Sequence, residues 1–323
     1  MRKLQEIQSD ISAVDGQIAE LYQKRRMFTK EAAEQGEAPA GNVFGFTLQD
    51  AFDFTDAKVV FQGVEGAYSQ QAMREFFGTE TKSFHVETWR CAMEAIAEGA
   101  ADYAVLPIEN SSAGIVSENF DLLVEYDNCI IGEQIIKIDH CLIGAKDAGL
   151  LDITDVYSHP QALMQCSKYL DAHTHWEKHS RKNTAGAAKK VKEGGRKNEA
   201  AIASAITADI YDLKILAEHI SNNTSNSTRF IIVTGQKKFC SKADKISICF
   251  EIPHKSGSLY QTLSHFIYNN LNMNKIESRP IQGRTWEYRF FIDFEGSLTD
   301  KEVQIALNGL KCETEGLKIL GNY

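Results

Sequence analysis

The stretch VVFQGVEGAYSQQA, residues 59–72, shows how the middle of the chain is organised. It opens with an apolar run rich in β-branched residues, which predicts a buried strand. Gly63 and Gly66 then predict a turn, and Ser69 stands where we expect the N-cap of a helix over 69–77. The stretch therefore predicts one strand–turn–helix unit of an α/β fold.

This alternation of short strands and amphipathic helices continues from Lys58 to about Gly235. The predicted strands are VVFQG, KSFHV, DYAVLPI, IIGEQIIKI, ITDVYS, AAIAS and RFIIVTG, and the predicted helices cover 69–77, 88–99, 160–171, 184–193 and 204–212. Such alternation indicates a mostly parallel sheet covered by helices on both faces. The length allows one sheet or two lobes, and the apolar run 129–145 is typical of a crossover between lobes.

Composition indicates a soluble protein of two or three domains, since 43% of the 323 residues are apolar and 24% are charged. The formal net charge of −9 argues against nucleic acid as a partner, and the basic run 178–197 is interpreted as a solvated helix face. Seven cysteines without a CxxC pair predict free thiols in a reducing compartment. Because the sequence shows no signal peptide and no long apolar window, we expect a cytoplasmic protein without membrane contact.

Residues 1–35 predict a single long helix. Its apolar residues recur in steps of three and four, which is the pattern of a coiled-coil seam, and Arg25 interrupts the seam. The seam residues are Leu4, Ile7, Ile11, Val14, Ile18, Leu21 and Phe28. Residues 36–56 predict a linker that docks through its phenylalanines, which are Phe44, Phe46, Phe52 and Phe54.

Residues 244–323 follow a different pattern. The predicted strands are KISICFEIP, MNKIESRPI, EYRFFIDF and LKILG, and the predicted helices cover 257–271 and 299–310. The order βαββαβ is the ferredoxin-like layout, in which two helices lie on one face of an antiparallel sheet.

Several predicted strands of the middle segment end in a polar cluster that opens the next helix. Besides the glycine turn, the clusters are ENSSAG (109–114), SHP (158–160) and NTA (183–185). Ligands of open α/β sheets bind outside the carboxyl ends of the strands, where helix N-termini attract anions. Together with Arg229, the clusters predict a site for a small polyanion. The sequence shows no metal-ligand set, dinucleotide fingerprint or phosphate loop, so we expect neither a cofactor nor a metal.

Six motifs occur in a fixed order: VVFQGVEGAYSQQA, PIENSSAGIV, SHPQALMQC, NTAGAA, AAIAS and NSTRF. This order resembles that of the prephenate dehydratase family, and the resemblance covers residues 58–323. It implies a two-lobed α/β catalytic domain over 57–236, similar to periplasmic binding proteins, with an active-site cleft. It also implies conversion of prephenate to phenylpyruvate, a homodimer or homotetramer, and feedback by phenylalanine on its own biosynthesis.

The resemblance also implies which residues act on the substrate. Thr228 of the TRF motif matches the catalytic threonine, and the departing hydroxyl of prephenate needs a proton or a strong hydrogen bond. Arg229 either balances substrate charge or pairs within the protein, and Phe230 packs either beside the substrate ring or into the core. Glu109 either binds substrate or braces its loop. The residues implied to line the substrate site are Ser69, Glu109, Asn110, Ser111, Gln161, Asn183, Thr184, Ala185, Arg229 and Phe230.

The motifs GSLYQTL and IESRP resemble the two signatures of the ACT domain, an amino-acid-binding module. This match assigns residues 244–323 to a regulatory domain. The phenylalanine site that it implies lies between two chains of a dimer, with the IESRP segment of one chain facing the glycine loop of the other. Its residues are Gly257, Ser258, Leu259, Glu277, Ser278, Arg279 and Pro280. Ser256 and Ser258 depart from the usual Pro-Gly-Ala-Leu of the first signature. The alternative is that Glu277 and Arg279 only pair with each other on the sheet surface.

The segment LQEIQSDISAVDGQIAELYQKRR resembles the first helix of the helical chorismate mutases, and Arg25 matches an active-site arginine of that family. Two other active-site positions hold Gln8 and Gly36, and the remaining helices of that fold are missing. We therefore interpret residues 1–35 as a remnant that mediates association and has no mutase activity.

Two alternative functions stay open. Arogenate dehydratase acts on a substrate in which an amino group replaces the keto group of the prephenate side chain, and the sequence does not separate these two substrates. A two-lobed cleft with an ACT domain is also compatible with an amino-acid sensor without activity. A sensor, however, does not require Thr228 beside the ENS and NTA clusters.

Overall fold

The computed structural model describes residues 3–34 and 42–323. These residues form two compact units. The middle unit comprises Asp53–Asn128 and Gly132–Gln236, and the terminal unit comprises the described residues up to Phe52 together with Cys129–Ile131 and Lys237–Tyr323. None of the helices in the described ranges is long and apolar enough to cross a membrane.

The elements are numbered in chain order. The α-helices within the described residues are α1 Leu4–Glu34, α2 Tyr68–Phe77, α3 Trp89–Ala97, α4 Ser117–Glu125, α5 Pro160–Gln165, α6 Ser167–Asp171, α7 Thr184–Gly194, α8 Ala205–Ile210, α9 Ser258–Tyr268 and α10 Lys301–Glu313. The strands are β1 Asn42–Val43, β2 Phe46–Gln49, β3 Lys58–Gln62, β4 Lys82–Val86, β5 Tyr103–Asn110, β6 Gly114–Ile115, β7 Cys129–Lys137, β8 Cys141–Gly144, β9 Asp155–Ser158, β10 Glu177–Ser180, β11 Glu199–Ala203, β12 Lys214–Ala217, β13 Ser227–Thr234, β14 Lys238–Cys240, β15 Lys245–Glu251, β16 Met273–Pro280, β17 Tyr288–Glu295 and β18 Glu315–Asn322.

Every strand and helix predicted for the middle unit is present, although the predicted helix 160–171 is two helices, α5 and α6, that meet at Cys166. The sequence patterns did not predict α4, β10 or β12. Both strands are only four residues long, and four residues are too few for a clear period.

The middle unit contains two mixed sheets, one in each of two lobes. Lobe 1 is built on the sheet β7-β13-β5-β3-β4, and lobe 2 is built on the sheet β10-β9-β11-β8-β12. The pairs β3–β4, β3–β5, β9–β10 and β9–β11 are parallel, whereas β13 is antiparallel to β5 and β8 is antiparallel to β11. The expectation of a mostly parallel sheet is therefore wrong for the strands at the crossings. The chain leaves lobe 1 after β7 and returns along β13, so the returning strand runs against its neighbour.

The inner strands of the lobe 2 sheet, β8, β9 and β11, are buried on both faces, which explains why they are mostly apolar. Leu142, Val156 and Ile202 belong to one core with residues of α5 and α6. Ile143 and Ala201 belong to the opposite core with residues of α7 and α8. The alternation follows from the period of two along a strand.

The apolar run 129–145 is divided between the lobes, which confirms the predicted crossover. Its first part is β7 of lobe 1, and its last part is β8 of lobe 2. The interpretation of 178–197 as one helix face is wrong at its start, because residues 178–180 belong to β10. β10 is an edge strand, and charged residues at an edge prevent pairing with other chains.

The terminal unit contains the predicted βαββαβ pattern. Its strands have the order β16-β17-β15-β18, and every neighbouring pair is antiparallel. The helices α9 and α10 contact each other. The ferredoxin-like layout is therefore confirmed.

The single predicted N-terminal helix is also confirmed, because α1 is continuous from Leu4 to Glu34. α1 contacts α9 and α10 of the same unit. Its seam residues nevertheless remain exposed in the single chain, from 38% at Ile18 to 71% at Leu4. The side chain of Arg25 and the whole of Gly36 lie outside the described residues, so their match to mutase positions stays a prediction.

The predicted linker 36–56 is partly a regular structure. β1 and β2 form a hairpin, and β14 adds to β2 in parallel, so the linker interpretation is wrong for residues 42–49. Phe46 is buried, and the ring of Phe54 packs edge-on against those of Phe77 and Tyr103. Docking is therefore confirmed for these two phenylalanines. Residues 35–41 lie outside the described residues.

All seven cysteines lie in the described ranges, and all are free thiols. Cys166 of lobe 2 and Cys249 of β15 are 0% and 1% exposed. Burial raises the pKa of the Cys166 thiol to about 12 and the pKa of the Cys249 thiol to about 11. Both thiols are therefore protonated and unreactive in the folded protein at neutral pH.

Candidate active site

The two lobes of the middle unit face each other along the edges where their parallel strands end. The hydroxyl of Thr207, in α8, donates a hydrogen bond to the carbonyl oxygen of Gly66 at 2.8 Å, and Lys182 forms an ion pair with Glu87. Gly66 and Glu87 follow β3 and β4, whereas Lys182 and Thr207 follow β10 and β11. The space between such edges is where an α/β fold places its ligand.

The turn after β3 has the predicted glycines, but the helix after it is capped differently. Gly63 and Gly66 have φ angles of +122° and +83°, which favour glycine. The N-cap of α2 is Ala67 and not Ser69. Ser69 lies in the first helical turn, where its hydroxyl donates to the carbonyl oxygen of Gln62 at 2.5 Å. The expected capping role of Ser69 is therefore wrong, and its side chain ties α2 to β3.

Asn110 and Thr228 lie opposite each other on the paired strands β5 and β13. The side-chain oxygen of Asn110 accepts hydrogen bonds from the backbone N–H groups of Ser112 and Ala113, at 3.0 and 2.9 Å. Because that oxygen is engaged, the NH2 group of Asn110 points to β13. It donates to Oγ1 of Thr228 at 2.9 Å and to Oδ1 of Asn226 at 2.9 Å. The protein itself thus fixes the orientation of the amide.

This hydrogen bond determines what the hydroxyl of Thr228 can do. A hydroxyl carries one hydrogen and two lone pairs, and Asn110 occupies one of the lone pairs. Within residues 3–34 and 42–323, no side chain or carbonyl accepts the hydroxyl hydrogen. The Thr228 hydroxyl is therefore a hydrogen-bond donor that is available to a ligand.

Ser111 holds the same turn against β13. Its N–H donates to the carbonyl oxygen of Ser227 at 2.9 Å, and its hydroxyl oxygen accepts from the N–H of Ser227 at 3.0 Å. These two bonds engage the backbone and the side chain of Ser111 inside the protein. The structure therefore places Ser111 as a brace of the Asn110 turn.

Arg229 is held by carboxylates on the two neighbouring strands. Its Nη1 donates to Oε2 of Glu133 at 3.2 Å, and its Nη2 lies 3.8 Å from Oε2 of Glu109. The side chain of Arg229 is only 17% exposed. Of the two interpretations, the structure favours pairing within the protein, with Glu109 as a brace. Phe230 is 3% exposed and belongs to the core, which favours the core interpretation for this residue.

In lobe 2 the predicted residues lie at the starts of two helices. His159 is the N-cap of α5, and its Nδ1 accepts the N–H of Gln161 at 3.2 Å. Asn183 is the N-cap of α7, and its Oδ1 accepts the N–H of Gly186 at 2.6 Å. Ser158 is not part of a cap, because it ends β9 and its hydroxyl donates to the carbonyl oxygen of Ile202 at 2.7 Å.

Thr184 and Ala185 form the first turn of α7. Ala185 is fully buried, so only its backbone could contact a ligand. The first N–H groups of a helix have no partner inside the helix, and the helix dipole is positive at that end. Lobe 2 therefore offers backbone donors to an anion, while the side-chain oxygen of Asn183 is already engaged in the cap.

Comparisons with known proteins identify the family of the chain. The prephenate dehydratase family profile matches residues 59–238, which is more than half of the chain. The chain belongs to the prephenate dehydratase family. Members of this family are lyases, and the two-lobed α/β fold of this chain is the fold of their solved structures.

Three comparisons give the extent of this similarity. A bifunctional chorismate mutase/prephenate dehydratase of Enterobacter agglomerans is 34% identical over 83% of this chain and 70% of its own length. An Arabidopsis thaliana protein named arogenate dehydratase/prephenate dehydratase 1, chloroplastic, is 36% identical over 84% of this chain and 73% of its own length. The solved prephenate dehydratase of Arthrobacter aurescens, in complex with L-Phe, has a TM-score of 0.76 and is 30% identical, covering 82% of this chain and 89% of that one.

In this family member, a polar network around the buried His140, which the sequence did not predict, joins the two lobes. The hydroxyl of Tyr68 donates to the carbonyl oxygen of Asp139 at 3.0 Å and lies 3.2 Å from Nδ1 of His140. Nε2 of His140 lies 3.1 Å from Oε1 of Gln165. Tyr68 and Gln165 belong to quoted motifs, but nothing in the sequence indicates that they meet at His140.

The protonation of this network follows from its burial. Burial lowers the pKa of His140 and raises the pKa of Tyr68 well above its ordinary value. Both groups are therefore neutral at neutral pH. Since Oε1 of Gln165 can only accept, Nε2 of His140 carries the hydrogen and Nδ1 has none. The single hydrogen of the Tyr68 hydroxyl therefore faces two acceptors, the carbonyl oxygen of Asp139 and Nδ1 of His140. The NH2 group of Gln165 is consequently directed away from His140.

One group of potential metal ligands occurs among the described residues, although the sequence shows no obvious set. The ligand atoms of Asp155, Glu177 and His179, on β9 and β10, lie within 4.8 Å of one another. Asp155 Oδ1 accepts from Nε2 of His179 at 2.8 Å, and Asp155 Oδ2 accepts from Thr154 and Asn198 at 2.6 and 3.1 Å. Hydrogen bonds within the protein account for the arrangement of Asp155 and His179.

The terminal unit has a cavity of about 510 Å³ beside the first ACT-like signature. Its lining residues come from the β15–α9 loop and from the start of β17, and include Lys255, Gly257, Ser258 and Leu259 on the loop side. Gly257 is the N-cap of α9 with a φ of +85°. The predicted residues Gly257, Ser258 and Leu259 therefore lie together at a helix start that faces a cavity.

The second part of the predicted phenylalanine site is placed elsewhere in the chain. Glu277, Ser278, Arg279 and Pro280 belong to β16 and pair with β17. None of them lines the cavity beside Gly257. Within one chain the two signatures are separated, because β17 lies between β16 and β15. The predicted site, in which the two signatures meet across two chains, stays a prediction.

Proposed function

We propose that the protein converts prephenate to phenylpyruvate, with release of carbon dioxide and water. The observation that carries this proposal is the hydrogen bond from Asn110 Nδ2 to Oγ1 of Thr228, at 2.9 Å. It leaves the hydroxyl hydrogen of Thr228 as a donor for a leaving group. Membership of the prephenate dehydratase family supports the same reaction.

In this reaction the departing hydroxyl oxygen is the atom that most needs stabilisation by the protein. The bond from the ring to its carboxylate breaks, its electron pair forms a ring double bond, and the hydroxyl on the opposite ring carbon leaves. The dianion takes up one proton in total, which converts the leaving hydroxide into water. Aromatisation of the ring drives both cleavages, so the protein has to stabilise charge that develops on the departing oxygen.

Thr228 is suited to that task as a fixed donor. Its hydroxyl can hydrogen-bond to the departing oxygen, while the NH2 group of Asn110 stabilises the charge that develops on Oγ1. An aliphatic hydroxyl is a weak acid, so water supplies the net proton in this proposal. Thr228 positions and polarises the leaving group.

The carboxylates of the substrate need positive partners. Arg229 is paired with Glu133 and Glu109, so its charge is already balanced. We assign carboxylate binding to the N–H groups at the start of α7, where Thr184 and Ala185 lie. An oxyanion held by backbone donors needs no side-chain cation.

The test is to incubate the protein with prephenate at neutral pH and to measure phenylpyruvate by its absorbance in alkali, against a blank without protein. Arogenate is assayed in parallel, with phenylalanine as the measured product. Faster turnover of prephenate supports the proposal, and faster turnover of arogenate supports the alternative dehydratase. Binding of an aromatic amino acid without turnover of either substrate would indicate a sensor.

Phenylalanine is the proposed effector, and the cavity beside Gly257 is its proposed site. The start of α9 and Lys255 can hold a carboxylate, Glu287 can hold the ammonium group, and Phe290 offers an aromatic wall. The IESRP segment of a second copy would complete the site in a dimer, because that segment does not reach the cavity in one chain.

The test of this site is Gly257→Val. The β-branched side chain is strained at a φ of +85° and extends into the cavity, where a Cβ meets no atom within 4 Å. We expect cooperative inhibition by phenylalanine in the wild type and loss of inhibition in the variant. Coupling between two sites is typically about 5- to 150-fold. Gly45→Val is the matched control, because Gly45 has the same φ and open surroundings in the same unit. Equal inhibition of both variants, or no phenylalanine binding by calorimetry, refutes the assignment.

We assign α1 to association of the subunits and not to mutase chemistry. Its exposed apolar seam fits a second copy of the same helix. Deleting residues 1–35 should lower the number of subunits per particle, measured by light scattering. Dehydratase turnover should stay intact at high protein concentration. Formation of prephenate from chorismate by the intact protein would refute the remnant interpretation. An unchanged number of subunits after the deletion would refute the assigned role in association.

A further inference from the structure

We infer that Asn226 is a positioning residue of the active site, which fixes the amide of Asn110 and thereby aims the hydroxyl of Thr228. The inference rests on the proposed dehydratase function. Asn226 is the first residue of the NSTRF motif, but it is not among the residues that the resemblance implies to line the substrate site. It needs no contact with substrate, because it acts through Asn110.

Asn226 is built into the protein and does not face solvent. It is 1% exposed, and its carbonyl oxygen accepts the N–H of Ile138 at 2.8 Å. Ile138 begins the connection from β7 to β8. The backbone of Asn226 is therefore held where the two crossings between the lobes lie side by side.

The side chain of Asn226 supplies an acceptor that Asn110 needs. An amide NH2 group has two hydrogens, and Asn110 Nδ2 lies 2.9 Å from Oγ1 of Thr228 and 2.9 Å from Oδ1 of Asn226. One hydrogen thus goes to each oxygen. A third acceptor, the carbonyl oxygen of Ser227, lies slightly farther away at 3.1 Å.

The carbonyl oxygen of Ser227, the third acceptor, competes with Asn226 and Thr228 for the hydrogens of the Asn110 amide. Without Oδ1 of Asn226, the second hydrogen of Asn110 has only Ser227 O as a partner, and the amide can rotate toward it. The bond to Thr228 Oγ1 then lengthens, and the hydroxyl of Thr228 is free to turn away from the substrate. Loss of Asn226 should therefore lower kcat rather than raise KM.

The chemistry of the acceptor suggests a rescue. Oδ1 of Asn226 accepts from Asn110 and lies 3.5 Å from the hydroxyl of Ser111. Aspartate at this position keeps an oxygen in the same place, whereas alanine does not. Asn226→Asp should retain most of the activity, and Asn226→Ala should lose it.

The experiment measures kcat and KM for prephenate in the wild type, Asn226→Ala and Asn226→Asp. We expect kcat of the alanine variant to fall about tenfold or more with little change in KM. Ser225→Ala is the control, because Ser225 is an exposed neighbour whose hydrogen bonds within the described residues go to Asn223 alone. Circular dichroism and thermal unfolding check that each variant is folded, and failure of the alanine variant to fold leaves the aspartate variant as the decisive measurement.

A double variant separates positioning from a general structural effect. If Asn226 acts through Thr228, adding Asn226→Ala to Thr228→Ala should cause no further loss of kcat. Equal losses in both backgrounds would overturn the inference, as would a wild-type kcat in Asn226→Ala or an aspartate variant as poor as the alanine variant. If the wild type does not turn over prephenate, the proposed function fails and this inference fails with it. If the wild type turns over prephenate but the variants contradict the expectations above, only this inference fails.

Discussion

Lobe 1 and lobe 2 hold the predicted site residues by different means. In lobe 1, Asn110 and Thr228 lie on paired strands, and each side chain is fixed by another side chain. In lobe 2, Asn183 lies at the start of a helix, and its oxygen is engaged by the backbone of that helix. Both asparagines use their carbonyl oxygen for the fold, but only the NH2 group of Asn110 donates to a residue that can act on a substrate.

The different ways in which the side chains are held predict separate roles for the two lobes. Strand-borne side chains with mutual hydrogen bonds have one orientation, which suits a group that must meet a reacting atom. A helix start offers several N–H groups in a broad positive field, which suits an anion that only has to be held. Substitutions of site residues in lobe 1 should therefore change mainly kcat, and those in lobe 2 should change mainly KM.

The largest expected effect is at Thr228. Thr228→Ala removes the donor to the leaving group, so kcat should fall about 10²-fold or more while KM changes little. Thr228→Ser keeps a hydroxyl and should retain part of the activity. Steady-state kinetics with prephenate checks both, and Thr234→Ser, at the other end of β13, is the matched control. Turnover of Thr228→Ala at the wild-type rate would show that Thr228 of lobe 1 does not supply the donor to the leaving group.

A smaller effect is expected at Asn183, where capping and binding can be separated. Asn183→Ala loses the cap of α7, which should lower the free energy of unfolding by about 1 kcal/mol. Asn183→Asp keeps the cap but places a negative charge beside the substrate carboxylate. KM should therefore rise several-fold in the aspartate variant without a loss of stability.

Thr88→Ala is the control for this prediction, because Thr88 caps α3 in lobe 1 by accepting the N–H of Cys91 at 3.1 Å. It should lower stability and leave KM unchanged. Urea unfolding and steady-state kinetics provide the two measurements. If Asn183→Asp lowers kcat and leaves KM unchanged, lobe 2 takes part in the chemical step and the division between the lobes is wrong.

The smallest effect concerns His140, which joins the lobes. Burial lowers the pKa of His140 below its ordinary value of 6.5, while Asp139 and the bond to Gln165 oppose this shift only in part. Below pH 6.5 the unfolded chain thus binds a proton that the folded chain does not, so the free energy of unfolding should fall as the pH falls. Above that pH the contribution is constant.

His140→Gln should flatten this dependence. The pKa of His159 is also lowered by burial, so a shallower slope remains in the variant. Urea titrations on both sides of the ordinary histidine pKa compare the two proteins. Identical slopes would show that His140 binds its proton equally well in the folded and the unfolded chain, so that burial does not lower its pKa.

Much of the fold follows from local patterns. Apolar runs and amphipathic periods predicted the seven main strands of the middle unit and the ferredoxin-like end, because burial imposes those periods on the sequence. Strand direction did not follow, since β8 and β13 owe their antiparallel pairing to the path of the chain between lobes. The end of the glycine turn was also missed, since the helix begins at Tyr68 and leaves Ser69 inside the first turn.

The sequence predicted candidate site residues whose motifs lie on paired strands. Asn110 and Thr228 stand in quoted motifs, and the register of β5 and β13 brings them together. Asn226 begins the NSTRF motif, but its contact with Asn110 was missed, as was that of His140 with Tyr68, because the partners lie 116 and 72 residues apart. A single sequence carries no signal for such pairs.

The buried thiols give each compact unit its own built-in reporter. Cys166 lies in the middle unit and Cys249 in the terminal unit, and neither can react with a thiol reagent until its own surroundings open. The rate of labelling at each cysteine, read by mass spectrometry in the unaltered protein, therefore measures how often each unit opens. Repeating the measurement with an aromatic amino acid present tells which unit tightens, without a probe having been introduced into either.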